Sequence, residues 1–426
     1  MQTYDEMVDS GVDWIGSIPK DWAVKKVKRI FVKKNDKSTT KDPVVLSLAR
    51  TGVKVRDISS NEGQLAASYD NYNPVEPGDV LLNPMDLQSG ANCSISKVKG
   101  VISPAYVNLR PISENNSQFF DYYFKLQYWS RAFFVHGRGI SYDNRWTLGN
   151  ETLMNYPVVV PAPQQQQKIA DFLDTETAQI DNLIAKQERL LELLEEKRRV
   201  TITHAVTRGL DSSVELKETN IPWLAQIPAH WNVKRIKDLF SANDEALGQK
   251  TDPNYGFDYV DISSVDKYRG IIKKEKMTFE KSPSRARRIV REGDIIIGAV
   301  RTYLEAIAQI SEDATSLIVS TGFVVLRPKD VGDSDFYFYA LRSGSFKANV
   351  VANSDGVSYP AINADKLMSL QIAVPPKEEM RTIIEHCKLE MSRMDELKQK
   401  IQTQITLLRE RRTSLISHAV TGKVRV

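Results

Sequence analysis

An internal duplication limits what this chain can fold into, because a repeated sequence predicts a repeated structural unit. The segment 18–25, which reads IPKDWAVK, returns as IPAHWNVK at 227–234. Further pairs follow in the same order along the chain: GDVL and GDII, LRP twice, ISY and VSY, and HAVT twice. The partners stay roughly 210 residues apart, so we expect one module used twice.

Each copy divides into two parts that differ in periodicity. In residues 22–160 and 231–374, short apolar runs such as VVLSL and DIIIG are separated by Gly, Pro and Asn. This pattern predicts short strands with a few helices. The aromatic stretches 119–134 and 336–346 follow the spacing of one face of a helix, so each is predicted to be an amphipathic helix that packs in a core. Base stacking by exposed rings is the alternative for these stretches.

The second part of each copy is predicted to be a long helix. It begins after a proline, near Pro163 in the first copy and Pro376 in the second, and runs about forty residues without Gly or Pro. Mostly apolar residues recur at alternating steps of three and four, which is the period of a coiled-coil seam. The predicted seam positions are Thr177, Ile180, Ile184, Gln187, Leu191, Leu194, Arg198, Thr201 and Ala205 in the first copy, and Met391, Met394, Lys398, Ile401, Ile405, Leu408, Arg412, Leu415 and Ala419 in the second. Such a stripe needs a partner, and we expect each helix to pair with the other copy; packing on its own globular half is the alternative.

The fold class predicted from these patterns is α+β, with two globular domains and two long helices. The predicted boundaries are a first globular domain at 1–160, a first long helix at 161–209, a linker leading into the second repeat at 210–230, a second globular domain at 231–374, and a second long helix at 375–426.

Composition is that of an ordinary globular protein, with 41% hydrophobic and 26% charged residues. Cys93 and Cys387 lie far apart, which favours a reducing, cytoplasmic compartment. We see neither a secretory signal nor an apolar run of the ~20 residues that a membrane span needs. A formal net charge of +4 permits nucleic-acid binding without requiring it, so the distribution of charge must decide.

No catalytic motif persists in both copies. The segment 83–85, Asn-Pro-Met, is similar to a loop of adenine methyltransferases but lacks its second proline and aromatic residue; a strand-end turn is the better interpretation. The acids between Asp211 and Lys217 lie in the polar linker, and chance explains their spacing. The chain has no phosphate-binding loop and no metal-ligand spacing of His and Cys. His204 and His418 share one repeat position near a helix end, where packing or capping is expected. We therefore predict no catalytic, cofactor-binding or metal residues in this chain.

Basic residues cluster within the globular halves, at 25–34 in the first copy and 285–291 in the second. A single cluster of this kind is more often a solvated face than a ligand site. Several clusters, with the acids concentrated on the long helices, favour contacts with nucleic-acid phosphates.

Several of these stretches together resemble the specificity subunit of type I restriction–modification enzymes. The resemblance covers essentially the whole chain and rests on the IPxxWxVK openings, DVLLNPMD at 79–86, GDIIIGAVRTYL at 293–304, the VPAPQQQQKI entry to the first helix, and the HAVT turns. One departure is visible: the second helix starts with PKEEMR at 376–381 instead of a Gln-rich entry. If that entry contacts a methylation subunit, the two contacts are unequal.

The resemblance implies a DNA sequence-specificity subunit that is not itself an enzyme. Its two target recognition domains would each read one half of a bipartite double-stranded target, and the long helices would form an antiparallel coiled coil with pseudo-twofold symmetry. Half-sites about one helical turn apart, roughly 10 bp, suit that geometry. The expected partners are two methylation subunits and restriction subunits, and S-adenosylmethionine is expected on the methylation subunit.

Seven basic residues are predicted to face DNA, although the sequence does not separate base contacts from phosphate contacts. They are Lys54, Arg56, Arg138 and Arg145, which are predicted to lie in polar loops, and Arg285, Arg287 and Arg301. The alternative functions are an autonomous DNA methyltransferase or other DNA-modifying enzyme whose motifs have drifted, and a coiled-coil scaffold with no nucleic-acid role. Turnover of labelled S-adenosylmethionine by the lone chain would favour the enzyme.

Overall fold

Short strands and helices precede the first long helix. The structure is a computed structural model, and it describes residues 3–426 except 39–41, 59–65, 67, 86, 88–91, 140–145, 311–313, 315 and 357. The strands of the first copy are β1 (Met7–Asp9), β2 (Ser17–Pro19), β3 (Ala23–Lys26), β4 (Phe31–Lys33), β5 (Leu46–Ala49), β6 (Gly52–Val55), β7 (Asn73–Val75), β8 (Val80–Leu82), β9 (Cys93–Ile95), β10 (Gly100–Ile102), β11 (Val107–Pro111) and β12 (Pro157–Val160). The helices are α1 (Ser117–Trp129), α2 (Ala132–Val135), α3 (Asn150–Asn155) and the long α4 (Pro163–Arg208).

The second copy repeats this order with additional strands. Its strands are β13 (Leu216–Glu218), β14 (Gln226–Pro228), β15 (Asn232–Arg235), β16 (Phe240–Ala242), β17 (Gly256–Val260), β18 (Val265–Asp266), β19 (Gly270–Ile271), β20 (Glu275–Thr278), β21 (Ala286–Ile289), β22 (Ile295–Gly298), β23 (Ile307–Gln309), β24 (Leu317–Ser320), β25 (Phe323–Pro328) and β26 (Gln371–Val374). Its helices are α5 (Ile236–Leu239), α6 (Ser334–Arg342), α7 (Gly344–Ala352), α8 (Ala364–Ser369) and the long α9 (Lys377–Val420).

The chain separates into two compact units that do not coincide with the two copies. Unit 1 consists of residues 1–188 and 403–426, and unit 2 consists of residues 189–402. Each unit therefore contains about half of α4 and half of α9, together with one set of strands and short helices.

Each unit has a four-stranded sheet with the same order. In unit 1 the order is β4-β11-β8-β9, and in unit 2 it is β16-β25-β22-β23, and both are antiparallel. The first and last strands of each globular part also pair, β3 with β12 and β15 with β26. The units differ beyond this frame: unit 2 has a second four-stranded sheet, β20-β17-β24-β21, whereas unit 1 has the two-stranded sheets β5–β6 and β7–β10.

The repeated Gly-Asp and Leu-Arg-Pro motifs meet in an ion pair whose carboxylate is buried. Asp294 is 1% exposed and accepts hydrogen bonds from the Arg327 guanidinium at 3.0 Å and 2.8 Å. Asp79, also 1% exposed, accepts bonds of 2.7 Å and 3.0 Å from Arg110 in the same way. These hydrogen bonds raise the pKa of both arginines. Two arginines that composition alone would count toward a basic surface are therefore neutralised by buried carboxylates.

Removing the arginine from this pair is expected to destabilise unit 2. Replacing Arg327 with Ala leaves the Asp294 carboxylate buried without its main partner, and losses of this kind cost about 3 kcal/mol or more. Urea unfolding would measure the change in the free energy of unfolding. The matched control is Arg285→Ala, because Arg285 is exposed, and its expected effect lies within about 0.5 kcal/mol. Equal stability of the two variants would contradict a structural role for the pair.

The aromatic stretches pack in the cores, as predicted. In the first copy α1 buries Phe119, Phe120, Tyr123 and Phe124 completely. The prediction of one helix in each stretch is wrong. Residues 119–134 divide between α1 and α2, and residues 336–346 divide between α6 and α7 with a break at Ser343. The Ser343 hydroxyl accepts a hydrogen bond from the backbone N–H of Phe346 and so caps α7.

The seam residues predicted on the long helices are all buried or half-buried, and most residues beside them are exposed. Ion pairs join the two helices within each unit. In unit 1, Asp181 binds Arg412 at 2.8 Å and Glu188 binds Arg409 at 3.0 Å. In unit 2, the corresponding pairs are Glu195–Lys398 and Arg198–Asp395. Within each unit, the pair whose α4 residue has the higher number has the α9 residue with the lower number, so the two helix segments run in opposite directions.

The tryptophan of each IPxxWxVK opening contacts the first turn of a long helix. The indole N–H of Trp22 donates to the Gln165 side chain at 3.0 Å, and that of Trp231 donates to the Glu379 carboxylate at 3.0 Å. His230 also contacts Glu379, at 2.8 Å. The entry to α9, which differs in sequence from that of α4, therefore keeps the same contact with a carboxylate in place of an amide.

Candidate nucleic-acid interface

A pair of loops lies at the same sheet position in both units. We call the residues that follow the central strand the strand-end loop (83–85 in unit 1, 299–305 in unit 2) and those before α3 or α8 the return loop (137–139 and 146–148 in unit 1, 353–356 and 358–362 in unit 2). The carbonyl of Pro84 accepts from the N–H of Leu148 at 2.8 Å, and the carbonyl of Ala299 accepts from the N–H of Ile362 at 2.8 Å. The repeat thus brings two loops together at the same end of the central strand in each sheet.

The turn at Asn-Pro-Met is a strand-end turn, as predicted. Strand β8 ends at Leu82, and the Asn83 side chain accepts from the N–H of Met85 at 3.0 Å. This closed Asx turn explains the sequence without a methyltransferase loop.

Unit 2 presents Arg301 on its strand-end loop and Arg285 beside it. The Arg301 guanidinium lies 5.1 Å from the centre of the Tyr359 ring, on the return loop. Backbone hydrogen bonds of 2.8 Å join Arg285 to Thr321 and Gly322 to Ala299, so the predicted residues Arg285 and Arg301 lie near this end of the central strand. Both side chains are exposed.

Arg287 is held differently. It lies in strand β21, where the register shifts between Ala286 and Arg288, and its guanidinium stacks 4.6 Å from the centre of the Phe279 ring. Arg291 of the same basic cluster is paired with Glu245 at 2.7 Å. Within the described ranges, Arg285, Arg287 and Arg301 form no salt bridge, so their charges are available to an anionic ligand.

In unit 1 the predicted residues occupy two elements. Lys54 is exposed in strand β6 and not in a loop as predicted, and the half-buried Arg56 follows that strand. Arg138 is exposed on the return loop, where its backbone pairs with Thr147 through two hydrogen bonds of 2.9 Å. Arg145 lies outside the described residues. The DNA-facing role of all seven residues stays a prediction.

Two exposed tyrosines on the unit 2 loops were not selected from the sequence. Tyr303 is 53% exposed on the strand-end loop and Tyr359 is 65% exposed on the return loop. The available signal was an aromatic residue placed beside arginine in a short polar loop after a strand. Because aromatic residues elsewhere in this chain form the cores, that signal pointed to packing.

Neither a metal-ligand cluster nor a membrane-spanning helix is found in the part of the chain that the structure describes. No group of three or more His, Cys, Asp or Glu side chains in that part could hold a metal ion. None of the helices found there is long and apolar enough to cross a membrane.

Comparison with known proteins identifies the family. The model of the type I restriction modification DNA specificity domain matches the chain twice, at residues 19–193 and 228–407. The chain therefore belongs to this family, and it is a DNA-specificity subunit of a type I restriction–modification system and not a catalytic one. The two matches reproduce the internal duplication.

Curated relatives and solved structures agree with this assignment. The specificity subunit of the type I restriction enzyme MjaVIII from Methanocaldococcus jannaschii is 23% identical over 83% of this chain and 80% of that protein. The EcoBI specificity subunit of Escherichia coli is 20% identical over 99% and 90%, respectively. A chain from a structural study of the assembly and conformational transition of a type I R-M system has a TM-score of 0.71 at 14% identity, covering 96% of this chain and 99% of that one. The HsdS subunit from Thermoanaerobacter tengcongensis has a TM-score of 0.56 at 14% identity, with 96% and 98% covered.

Proposed function

We propose that each unit reads one half of a bipartite double-stranded DNA target through its pair of loops. The observation that carries this proposal is the recurrence of the loop pair at one strand end in both units, with exposed basic residues on or beside it. A recognition module needs base-edge contacts for specificity and cationic contacts for position. Outside the shared frame the units differ in sheets and side chains, so the two half-sites are expected to differ in sequence.

The two long helices would space these readers as an antiparallel coiled coil. Two observations support this arrangement. The ion pairs within each unit join helix segments that run in opposite directions, and the seam residues are buried or half-buried. The shared strand orders of the two units support a repeated module, which an antiparallel pair of helices would present with pseudo-twofold symmetry. Readers related in this way suit half-sites about one helical turn apart, roughly 10 bp.

Methyl transfer and cleavage would be carried out by partner subunits. We propose that the chain docks two methylation subunits and the restriction subunits, and that S-adenosylmethionine binds to the methylation subunits. The entries of α4 and α9 carry different residues at the tryptophan contact, amide against carboxylate, so two docking sites that include these entries would be unequal.

The decisive experiment is to map the methylated bases in a genome that carries this chain together with its methylation subunits. A split motif is expected, and it should disappear when this chain alone is deleted. Methylation that persists without this chain would contradict the proposal. As a control, the purified chain alone should not transfer label from S-adenosylmethionine to unmethylated DNA, and turnover would favour the autonomous enzyme.

Salt dependence should distinguish phosphate contacts from base contacts. Replacing Arg285 with Ala is expected to reduce the slope of log binding constant against log salt by about 0.9, because one phosphate contact is lost. Its effect on affinity should be similar for all sequences, whereas a base contact changes the preferred sequence. Binding of the methylation complex to its mapped motif, measured over a salt series, tests this. An unchanged slope together with an unchanged preferred sequence would remove Arg285 from the interface.

A further inference from the structure

We propose that Tyr303, together with Leu304, is an apolar wedge that enters a groove of the DNA and packs against the bases of the half-site read by unit 2. This inference rests on the proposed function and assigns a role to residues other than the basic ones. It would make Tyr303 a determinant of specificity in addition to the arginines nearby.

The first observation is the exposure of large apolar side chains on these loops. Tyr303 is 53% exposed, Leu304 38% and Val300 40%, and all belong to the strand-end loop. Tyr359, on the return loop, is 65% exposed. Single exposed apolar residues are ordinary, but a cluster on one loop pair indicates a binding surface.

The second observation is the backbone conformation that presents them. Residues Thr302–Leu304 form a single 3-10 turn between Arg301 with φ 53° and Glu305 with φ 51°. Both residues are in the left-handed region, which costs a non-glycine residue free energy and is concentrated at functional sites. The two left-handed residues turn the chain so that Thr302 is buried while Tyr303 and Leu304 face solvent.

The third observation is that the turn is fixed in place. The Thr302 hydroxyl is hydrogen-bonded to that of Ser354 at 2.8 Å, and the Thr302 N–H donates to the carbonyl of Pro360 at 3.3 Å. At the other end of the turn, Glu305 pairs with Lys347 at 2.5 Å. A loop tied to its neighbour at both ends loses little conformational freedom on binding, so its exposed side chains are organised in advance.

Charge favours DNA over a protein as the occupant. The acids beside the turn are paired, Glu305 with Lys347 and Asp355 with Lys366, whose charged atoms lie 3.5 Å apart. Arg301 makes no salt bridge among the described residues and lies against the Tyr359 ring. An apolar tip flanked by an unpaired guanidinium matches the wedges by which proteins part base steps in a groove, where phosphates line both sides.

The test uses the complete methylation complex and duplexes that carry its mapped motif. A 2-aminopurine base is placed at successive positions of the unit 2 half-site, except at the methylated base, which a methyltransferase extrudes by itself. At these positions increased fluorescence reports loss of stacking. The variants are Tyr303→Ala and Tyr303→Phe, which removes only the hydroxyl. Tyr255→Ala is the matched control, because Tyr255 is also exposed but lies away from the loop pair. It precedes β17, whereas Thr321 follows the parallel strand β24, so the two residues lie at different ends of the second sheet.

We expect the wild-type complex to raise the fluorescence at one position of that half-site. Tyr303→Ala should abolish the rise and weaken binding about tenfold, since stacked aromatic residues contribute on that scale. Tyr303→Phe and Tyr255→Ala should behave as the wild type. The half-site read by unit 1 should give the same signals in all four complexes.

Two results would overturn the wedge. They are the absence of a fluorescence rise with the wild-type complex, and a rise that is unchanged in Tyr303→Ala. In both cases a complex that still prefers its motif over a scrambled duplex leaves the proposed function intact. A wild-type complex without that preference overturns the proposed function, and the wedge with it. Thermal unfolding of each variant confirms that a lost signal is not a loss of folding.

Discussion

Exchange of residues 231–374 for the matching segment of another family member is expected to change one half of the methylated sequence and leave the other half unchanged. The segment begins and ends on neighbouring strands, because Asn232 of β15 pairs with Val374 of β26. The two ends of a replacement segment therefore join the rest of the chain at neighbouring positions. Each mismatched base pair costs about 1–3 kcal/mol, so a foreign reader should abolish methylation of the old half-site.

The reciprocal exchange is the matched control. Residues 22–160 also begin and end on paired strands, since Ala23 of β3 pairs with Val160 of β12. This exchange should alter the other half of the motif. Genome-wide methylation mapping of both chimeras gives the result. If one exchange changed both half-sequences, or if the parental motif persisted, the assignment of one reader to each half-site would be wrong.

Lengthening both long helices by one heptad is expected to lengthen the gap between the half-sites. The insertions belong after Glu188 in α4 and after Gln402 in α9, where the two compact units divide, so each unit keeps its own contacts. Seven residues extend a helix by about 10 Å, which corresponds to near three base pairs at 3.4 Å each. A whole heptad also keeps the seam in register.

Insertion into α4 alone is the control for this experiment. It should put the ion pairs of Asp181 and Glu188 in unit 1 out of register with those of Glu195 and Arg198 in unit 2, because only one of the two helices grows. It should therefore lower stability and methylation together. The double insertion should retain both half-sequences, as determined by methylation mapping. Full activity with the original gap would show that the helices do not set the distance between the readers.

Local patterns were sufficient to predict much of this fold. The seam positions of both long helices could be selected by period alone, because exposure along a helix repeats every 3.5 residues when a partner covers one stripe. The aromatic helix α1 was predicted for the same reason. The break at Ser343 was not, because the serine hydroxyl that caps α7 competes with a continuous helix, and the apolar period does not register that competition.

Long-range pairing accounts for what the sequence did not reveal. The neutralisation of Arg110 and Arg327 depends on strands that meet carboxylates about thirty residues away along the chain. The exposure of Tyr303 depends on left-handed residues that no period predicts. The division of each long helix between the two units likewise depends on long-range contacts, because each half of a helix packs with a different set of strands. The basic residues that are candidates for DNA contact could therefore be named from the sequence, but they could not be ranked by how available their charges are.

The composition of the two units has a consequence for the order in which the protein is completed. Unit 2 is one continuous stretch, whereas unit 1 needs residues 403–426 from the end of the chain. Leu415, Ile416 and Val420 belong to the same core as Ile18 and Trp22. A chain synthesised from its N-terminus therefore completes its second unit before it obtains the last residues of its first unit. Until the final helical turns emerge, the first unit has an open apolar face, and premature termination anywhere in residues 403–420 would leave that earlier unit unfinished while sparing the later one.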